Sequence, residues 1–290
     1  MVCTTYNLLL ATCESVFMRW QSYIELKRHS YHTVVGNLQI QEKVWSPQLN
    51  NHRDIFVYLP RSYAHSHHHY PVIYMHDGQN LFDQASSYAG DWRVDETMEH
   101  LGGEHIEGII VGIPNMGGQR IAEYSPFQDL YHGSGRGDAY VAFIADTLKP
   151  MIDHDFRTLP GREQTGIMGS SMGGLISLFA FFHRPEIFGL TGVMSPSFWF
   201  ANQAIFNYVE QAPFHPGKIY LDAGTREYGG ASSRDHSRHY YGSVRRMKRI
   251  LVKKGYRLRK SLKHVEEKWA GHNEPAWARR LPDAFRFLLT

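Results

Sequence analysis

From Val72 onward, short apolar runs alternate with helical periods, and that rhythm leaves few folds open to the chain. PVIYMHDG, GDWRVDETMEHL, EGIIVGIPN, DAYVAFIADTLKPMIDHDF, QTGIMG, LISLFAFFHR, FGLTGVMSP and KIYLDAG follow one another. Next come a helical period near SVRRMKRILVKKG, the strand-like YRLRKSLKHVE and a last helix over residues 274–288. Strand, helix, strand in this order requires crossover connections, which build a mainly parallel sheet covered by helices on both faces. Upstream, the β-rich runs Thr33–Trp45 and Asp54–Leu59 flank the polar SPQLNNHR and read as an antiparallel pair. No linker, repeat or low-complexity segment interrupts the pattern, so one α/β domain over residues 31–290 is expected. Residues 1–30 are expected to lie outside it, with Met18 as an alternative start.

Composition narrows the function. Lys and Arg number 31 against 28 Asp and Glu, a net +3, too weak a field to point to nucleic acid or an anionic membrane. Cys3 and Cys13 are the two cysteines, so no disulfide framework is implied and a reducing, cytoplasmic setting is expected. The first 17 residues lack a basic n-region and contain Glu14, which argues against an export signal or an anchor. A small-molecule substrate fits this balance.

Gly169-Ser170-Ser171-Met172-Gly173 matches G-x-S-x-G between an apolar strand and an apolar helix. A sharp strand-to-helix turn strains the backbone of the central serine, and small neighbours at 169, 173 and 174 allow it. Ser171 is therefore the candidate nucleophile and Ser170 a small filler beneath the turn. The Met172 N–H, at the start of the helix, can bind a developing oxyanion.

A serine hydroxyl needs a positioned base, and in this architecture an acid and then a histidine follow the serine in chain order. KIYLDAG runs out into TREYGG, which places Glu227 in the loop after a late strand and leaves Asp222 inside that strand; Asp235 is the runner-up. His272, in WAGHNEPAW, precedes the last helix and is the candidate base, oriented by Glu227. His264 falls in a strand and His183 in a helix, and the cluster His65, His67, His68 and His69 reads as a solvated turn; no metal and no cofactor are implied. The loop HDGQNLFD should supply a second oxyanion donor, the Gln79 N–H, with Gly78 permitting close approach and Asp77 shaping the loop through backbone amides. Phe198, Trp199 and Phe200 could form an aromatic wall, and Arg120, Glu123 or Tyr124 could touch a polar part of the substrate.

In order, YMHDGQNLFD, DWRVDETMEHL, GIPNMGGQRIAEYSP, GDAYVAFIADTLKPMID, GSSMGG, YLDAGTRE and GHNEPAW resemble the "Putative esterase" family of α/β-hydrolases, over about residues 31–289. The family includes relatives of enterochelin esterase, feruloyl esterase, S-formylglutathione hydrolase and mycolyltransferase. The resemblance implies a cofactor-free serine hydrolase acting on a small or carbohydrate-linked ester, with Ser171, Glu227 and His272 at matching positions. Many members carry Asp where this chain has Glu227, and either carboxylate can orient histidine. Siderophore esterases of similar type carry an added N-terminal domain for which the residues before Tyr31 are too few. Acyl transfer and a non-catalytic binding module are the competing classes.

Overall fold

Residues 20–130, 135–228 and 234–290 are described in the computed structural model of the chain. Its strands are β1 (Gln21–Ser22), β2 (Asn37–Ser46), β3 (Asn51–Leu59), β4 (Val72–His76), β5 (Ile109–Ile113), β6 (Thr165–Ser171), β7 (Leu190–Pro196), β8 (Lys218–Gly224) and β9 (Leu262–Glu267). Its helices are α1 (Tyr23–Leu26), α2 (Val94–Gly102), α3 (Arg120–Glu123), α4 (Gly137–Ala142), α5 (Lys149–Asp155), α6 (Met172–His183), α7 (Phe200–Gln211), α8 (Arg234–Lys254) and α9 (Glu274–Leu289). A π-helical turn, Phe143–Leu148, joins α4 to α5.

One sheet orders the strands β1-β2-β3-β5-β4-β6-β7-β8-β9. Pairing is antiparallel from β1 through to the β3–β5 contact and parallel from there to β9. The expected antiparallel entry and parallel centre are both present.

Central strands are apolar along their whole length because both faces are covered. Val72 and Tyr74 of β4 face the core beneath α4 to α8, whereas Ile73 and Met75 face the one built with α2 and α9. Helix α6 is buried at every position from Met172 to Phe182, which explains a run with no polar face.

Three boundaries differ from the sequence reading. The fold is joined before Tyr31: Gln21 and Ser22 pair with β2, and Tyr23 is buried. SPQLNNHR shrinks to a tight turn at residues 47–50, because left-handed Asn50 (φ 54°) sends residues 51–53 straight into β3. In YRLRKSLKHVE, left-handed Arg259 (φ 65°) breaks the run, and its N–H donates to the Leu262 carbonyl, so β9 begins only at Leu262.

One buried ion pair links the antiparallel edge to the C-terminal ends of the parallel strands. Arg53 of β3 donates from Nη1 (3.1 Å) and Nη2 (2.9 Å) to Glu123 of α3, with both side chains fully buried. This fork holds the short α3 in place. Arg53→Met leaves the Glu123 carboxylate buried without its cation and is expected to destabilise the protein by about 3 to 5 kcal/mol, read from urea unfolding at pH 7.

Candidate active site

Strand β6 delivers Ser171 to the carboxyl edge of the sheet with φ 58° and ψ −122°, and α6 starts at the next residue. An L-residue holds that conformation only where its surroundings over-determine it. Two contacts do so. The Ser197 N–H donates to the Ser171 carbonyl at 3.0 Å, and a Cβ on Gly169 would stand 2.8 Å from His76 Cδ2, so only glycine lets the turn settle onto that ring. The Ser171 hydroxyl lies 3.1 Å from Ser197 Oγ. Met172 is the first residue of α6, where helical N–H groups lack intrahelical partners.

His76 supports the turn from below. Ser177 Oγ donates to the Gly173 carbonyl at 2.7 Å, so it accepts from His76 Nε2 at 3.1 Å, and Nδ1 accepts from the Tyr140 hydroxyl at 2.8 Å. Burial pushes this imidazole down to about 3 and keeps it neutral.

His272 stands just before α9, whose N-cap is Asn273; the Asn273 side chain accepts from the Ala276 N–H at 3.0 Å. Its Nδ1 lies 2.7 Å from Glu227 Oε2, in the turn after β8. A carboxylate only accepts, so the ring donates here and Nε2 is left to take a proton. Glu227 Oε1 accepts from the Gly224 N–H and from Ser195 Oγ at 2.7 Å. Ser195 Oγ accepts in turn from Arg280 Nη2 at 2.9 Å, and the Arg280 Nε donates to Asp222 Oδ2 at 2.8 Å. A buried relay from α9 through the end of β7 therefore orients the carboxylate.

The loop after β4 begins at Asp77 in a left-handed conformation (φ 56°). Its carboxylate receives Arg120 through Nε (2.7 Å) and Nη2 (2.8 Å), Asn115 Nδ2 at 2.7 Å and the Tyr124 hydroxyl at 3.3 Å. Burial alone would raise the Asp77 carboxyl, but Arg120 and Asn115 outweigh it and hold the group below its ordinary value. Gly78 packs against β5, where a Cβ would fall 2.7 Å from the Ile113 nitrogen, and this close approach sets the position of Gln79. Ser171, His272 and Gln79 all line one cavity of about 730 Å³, walled by Trp92, Trp277 and Tyr88.

A family model described as "Putative esterase" matches residues 46–288. The chain belongs to this esterase family. Among its relatives is the Bacillus subtilis "Uncharacterized protein YbbA", 24% identical over 245 residues, covering 81% of this chain and 92% of that one. The Aspergillus fumigatus "Siderophore triacetylfusarinine C esterase" is 31% identical over 144 residues, 47% of each chain. A Shewanella oneidensis structure titled "IroE-like serine hydrolase" superposes with a TM-score of 0.66 at 20% identity, covering 87% of this chain and 80% of that one. The fold is that of an α/β-hydrolase.

Several expected roles change in this family member. Tyr124 does not face the cavity: it is fully buried, and its hydroxyl accepts from the Asp77 N–H at 3.1 Å. Glu123 is taken by Arg53. Arg120 does line the cavity, but its guanidinium is committed to Asp77. Asp77 shapes its loop through Asn115, Arg120 and Tyr124 side chains, whereas backbone amides were expected. Phe198 and Phe200 enter the core, and the half-exposed Trp199 lines a different cavity. Asp235 is exposed near Arg238, His183 stacks on Phe179, His264 bonds Glu266, and residues 65 and 67–69 are exposed.

Ser195, Ser197, Arg280, Asn115, Glu274 and the pair Trp92 and Trp277 were not anticipated. For the two serines a signal exists, because MSPS ends a strand adjacent to the serine turn in a parallel sheet, and the ends of neighbouring parallel strands share one edge.

Ser195→Ala removes one hydrogen bond to the Glu227 carboxylate and is expected to lower kcat for ester hydrolysis by about 10- to 100-fold at little change in KM. Steady-state kinetics of the folded variant checks this. For His76 the folded-state value lies near 3 against 6.5 for a free imidazole, so the unfolded chain binds the extra proton as the pH drops. Its stabilising contribution is therefore complete above pH 6.5 and drains away as the pH falls towards 3. The loss should be about 2 kcal/mol between pH 6.5 and 5, and urea midpoints should show His76→Gln with a flatter profile.

Proposed function

We propose that this esterase-family chain is a serine hydrolase that cleaves carboxylic esters through an acyl-enzyme on Ser171. What carries the reading is one juxtaposition: a serine on a strained strand-to-helix turn opens into the same cavity as an imidazole anchored to a buried carboxylate. Ser171 Oγ attacks the ester carbonyl while His272 Nε2 takes its proton. The resulting oxyanion is met by the Met172 and Gln79 N–H groups. The imidazolium, steadied by Glu227, protonates the departing alcohol, and water then repeats the cycle on the acyl-enzyme. The hydroxyl leaves Ser197 to engage the imidazole, a tightening usual when substrate fills an empty site.

The cavity suits a small or ring-bearing acyl ester. Trp92 and Trp277, with ring centroids 5.4 Å apart and planes tilted by 38°, provide an apolar wall, and Asn80 and Asn115 line the cavity beside it. The reading needs no metal, cofactor, nucleic acid or membrane, and its proposed setting is cytoplasmic. Among the described residues no helix is long and apolar enough to cross a membrane, and no cluster of ligands is set to hold a metal.

Ser171→Ala is expected to reduce release of p-nitrophenol from its butyrate ester by about 1,000-fold or more. A fluorophosphonate should label wild-type protein at Ser171 and leave the variant unlabelled. Absence of labelling in folded wild-type protein would overturn the proposal in favour of a binding module, and ester exchange onto added sugars outpacing hydrolysis would favour acyl transfer.

A further inference from the structure

The His272 ring lines one cavity and touches a residue that lines another. Trp277, a wall of the cavity described above, meets it edge-on with centroids 5.0 Å apart. Tyr240 also meets it edge-on at 5.5 Å, and Tyr240 lines a second cavity of about 530 Å³ between α8 and the start of α7.

The two cavities differ in charge. In the first, Asp77 and Arg120 neutralise each other, and Glu274 also lines the wall. Burial, and then the nearby Asp77 carboxylate, hold the Glu274 carboxyl above its ordinary value, which marks surroundings that disfavour negative charge. The second cavity is lined by Arg238, Arg246 and Arg249, and no carboxylate lines it among the described residues. Asp235 approaches Arg238 at 3.7 Å in a largely exposed pair, too weak to cancel the group.

These arginines share a face of α8 because 238, 242, 246 and 249 fall at successive turns. Gly242 lies among them with open space where a Cβ would stand, so the floor stays clear. Arg246 is already oriented: its guanidinium lies over Phe206, 4.1 Å from the ring centroid, and Nη1 donates to Gln203 Oε1 at 3.1 Å. Its other N–H groups remain for a planar acceptor, for which a guanidinium fork is matched. Trp199 and Tyr228, 48% and 43% exposed, supply flat apolar walls on a surface where exposed aromatics beside a cavity mark binding.

We propose that this cavity is a subsite for the part of an ester substrate that carries a carboxylate on a flat ring, seated on Arg246 and Arg249 and stacked against Trp199 or Tyr228. The assignment rests on the ester-cleaving reading, since the subsite would hold one part of the molecule whose ester bond is cleaved at Ser171.

Phenyl acetate and 4-acetoxybenzoate differ by one para carboxylate, so they test it in the full-length chain. In Arg246→Gln/Arg249→Gln, the ratio of kcat/KM for 4-acetoxybenzoate over phenyl acetate is expected to fall about 5-fold or more relative to wild type, through KM. Wild-type preference for the anion should also weaken as salt is raised. Calorimetry of 4-acetoxybenzoate on Ser171→Ala, with and without the two arginine changes, reads the same contact without turnover. An unchanged ratio, or equal binding with and without the arginines, overturns the subsite. Loss of hydrolysis of both esters by wild type would instead overturn the ester-cleaving reading, while the calorimetric comparison still decides the subsite.

Discussion

Ser171 is held at φ 58° and ψ −122°, a conformation that costs energy wherever a side chain is present and persists only if its neighbours leave no alternative. The rest of the molecule supplies that constraint. Strand β6 is clamped between β4 and β7, α6 is buried all round, and the loop after β7 takes the Ser171 carbonyl through the Ser197 N–H. Because the strain is fixed by packing on both sides, the hydroxyl stands clear of the sheet edge and the first amides of α6 stand beside it.

The same edge gathers three ion pairs, two of them buried and one at the cavity wall. Arg53 with Glu123, Arg120 with Asp77, and Arg280 with Asp222 are ion pairs drawn from different elements, and each restrains a segment that reaches the cavity. Buried pairs of this kind contribute little net stability, yet losing one partner is costly, so they act as locks on geometry. Arg53 fixes α3, α3 presents Arg120, Arg120 fixes Asp77, and Asp77 fixes the loop that carries Gln79. On the far side Arg280 holds Ser195, which holds Glu227, which orients His272. Both chains of contacts end at residues that line the cavity shared with Ser171.

Much of this was legible in order along the chain. That Ser171 sits at a strand-to-helix turn, Glu227 in the turn after a late strand and His272 just before the last helix was legible, because each placement depends on local signals: small residues at a turn, a loop after an apolar strand, and a glycine before a helix start. The sheet was legible for a similar reason, since strands buried on both faces are apolar along their length. Tyr124 misled because its spacing after β5 puts it at the right edge, yet whether a side chain at that edge turns outward or inward depends on the Asp77 carboxylate, 47 residues earlier in the chain. Phe198, Trp199 and Phe200 are alike in composition and adjacent in sequence, and only the packing around α7 separates two core rings from one that lines a cavity.

By itself, then, the sequence determined the alternation of strand and helix, the turn that strains one serine, and the placing of Glu227 and His272 at element ends, because these follow from backbone sterics and hydrophobic period among neighbouring residues. Only the tertiary structure decided which polar groups meet. Ser195 and Arg280 are 85 positions apart, and Ser195 and Glu227 are 32 apart. Such contacts form only when the register of parallel strands brings their ends to one edge and burial leaves each donor no solvent to turn to.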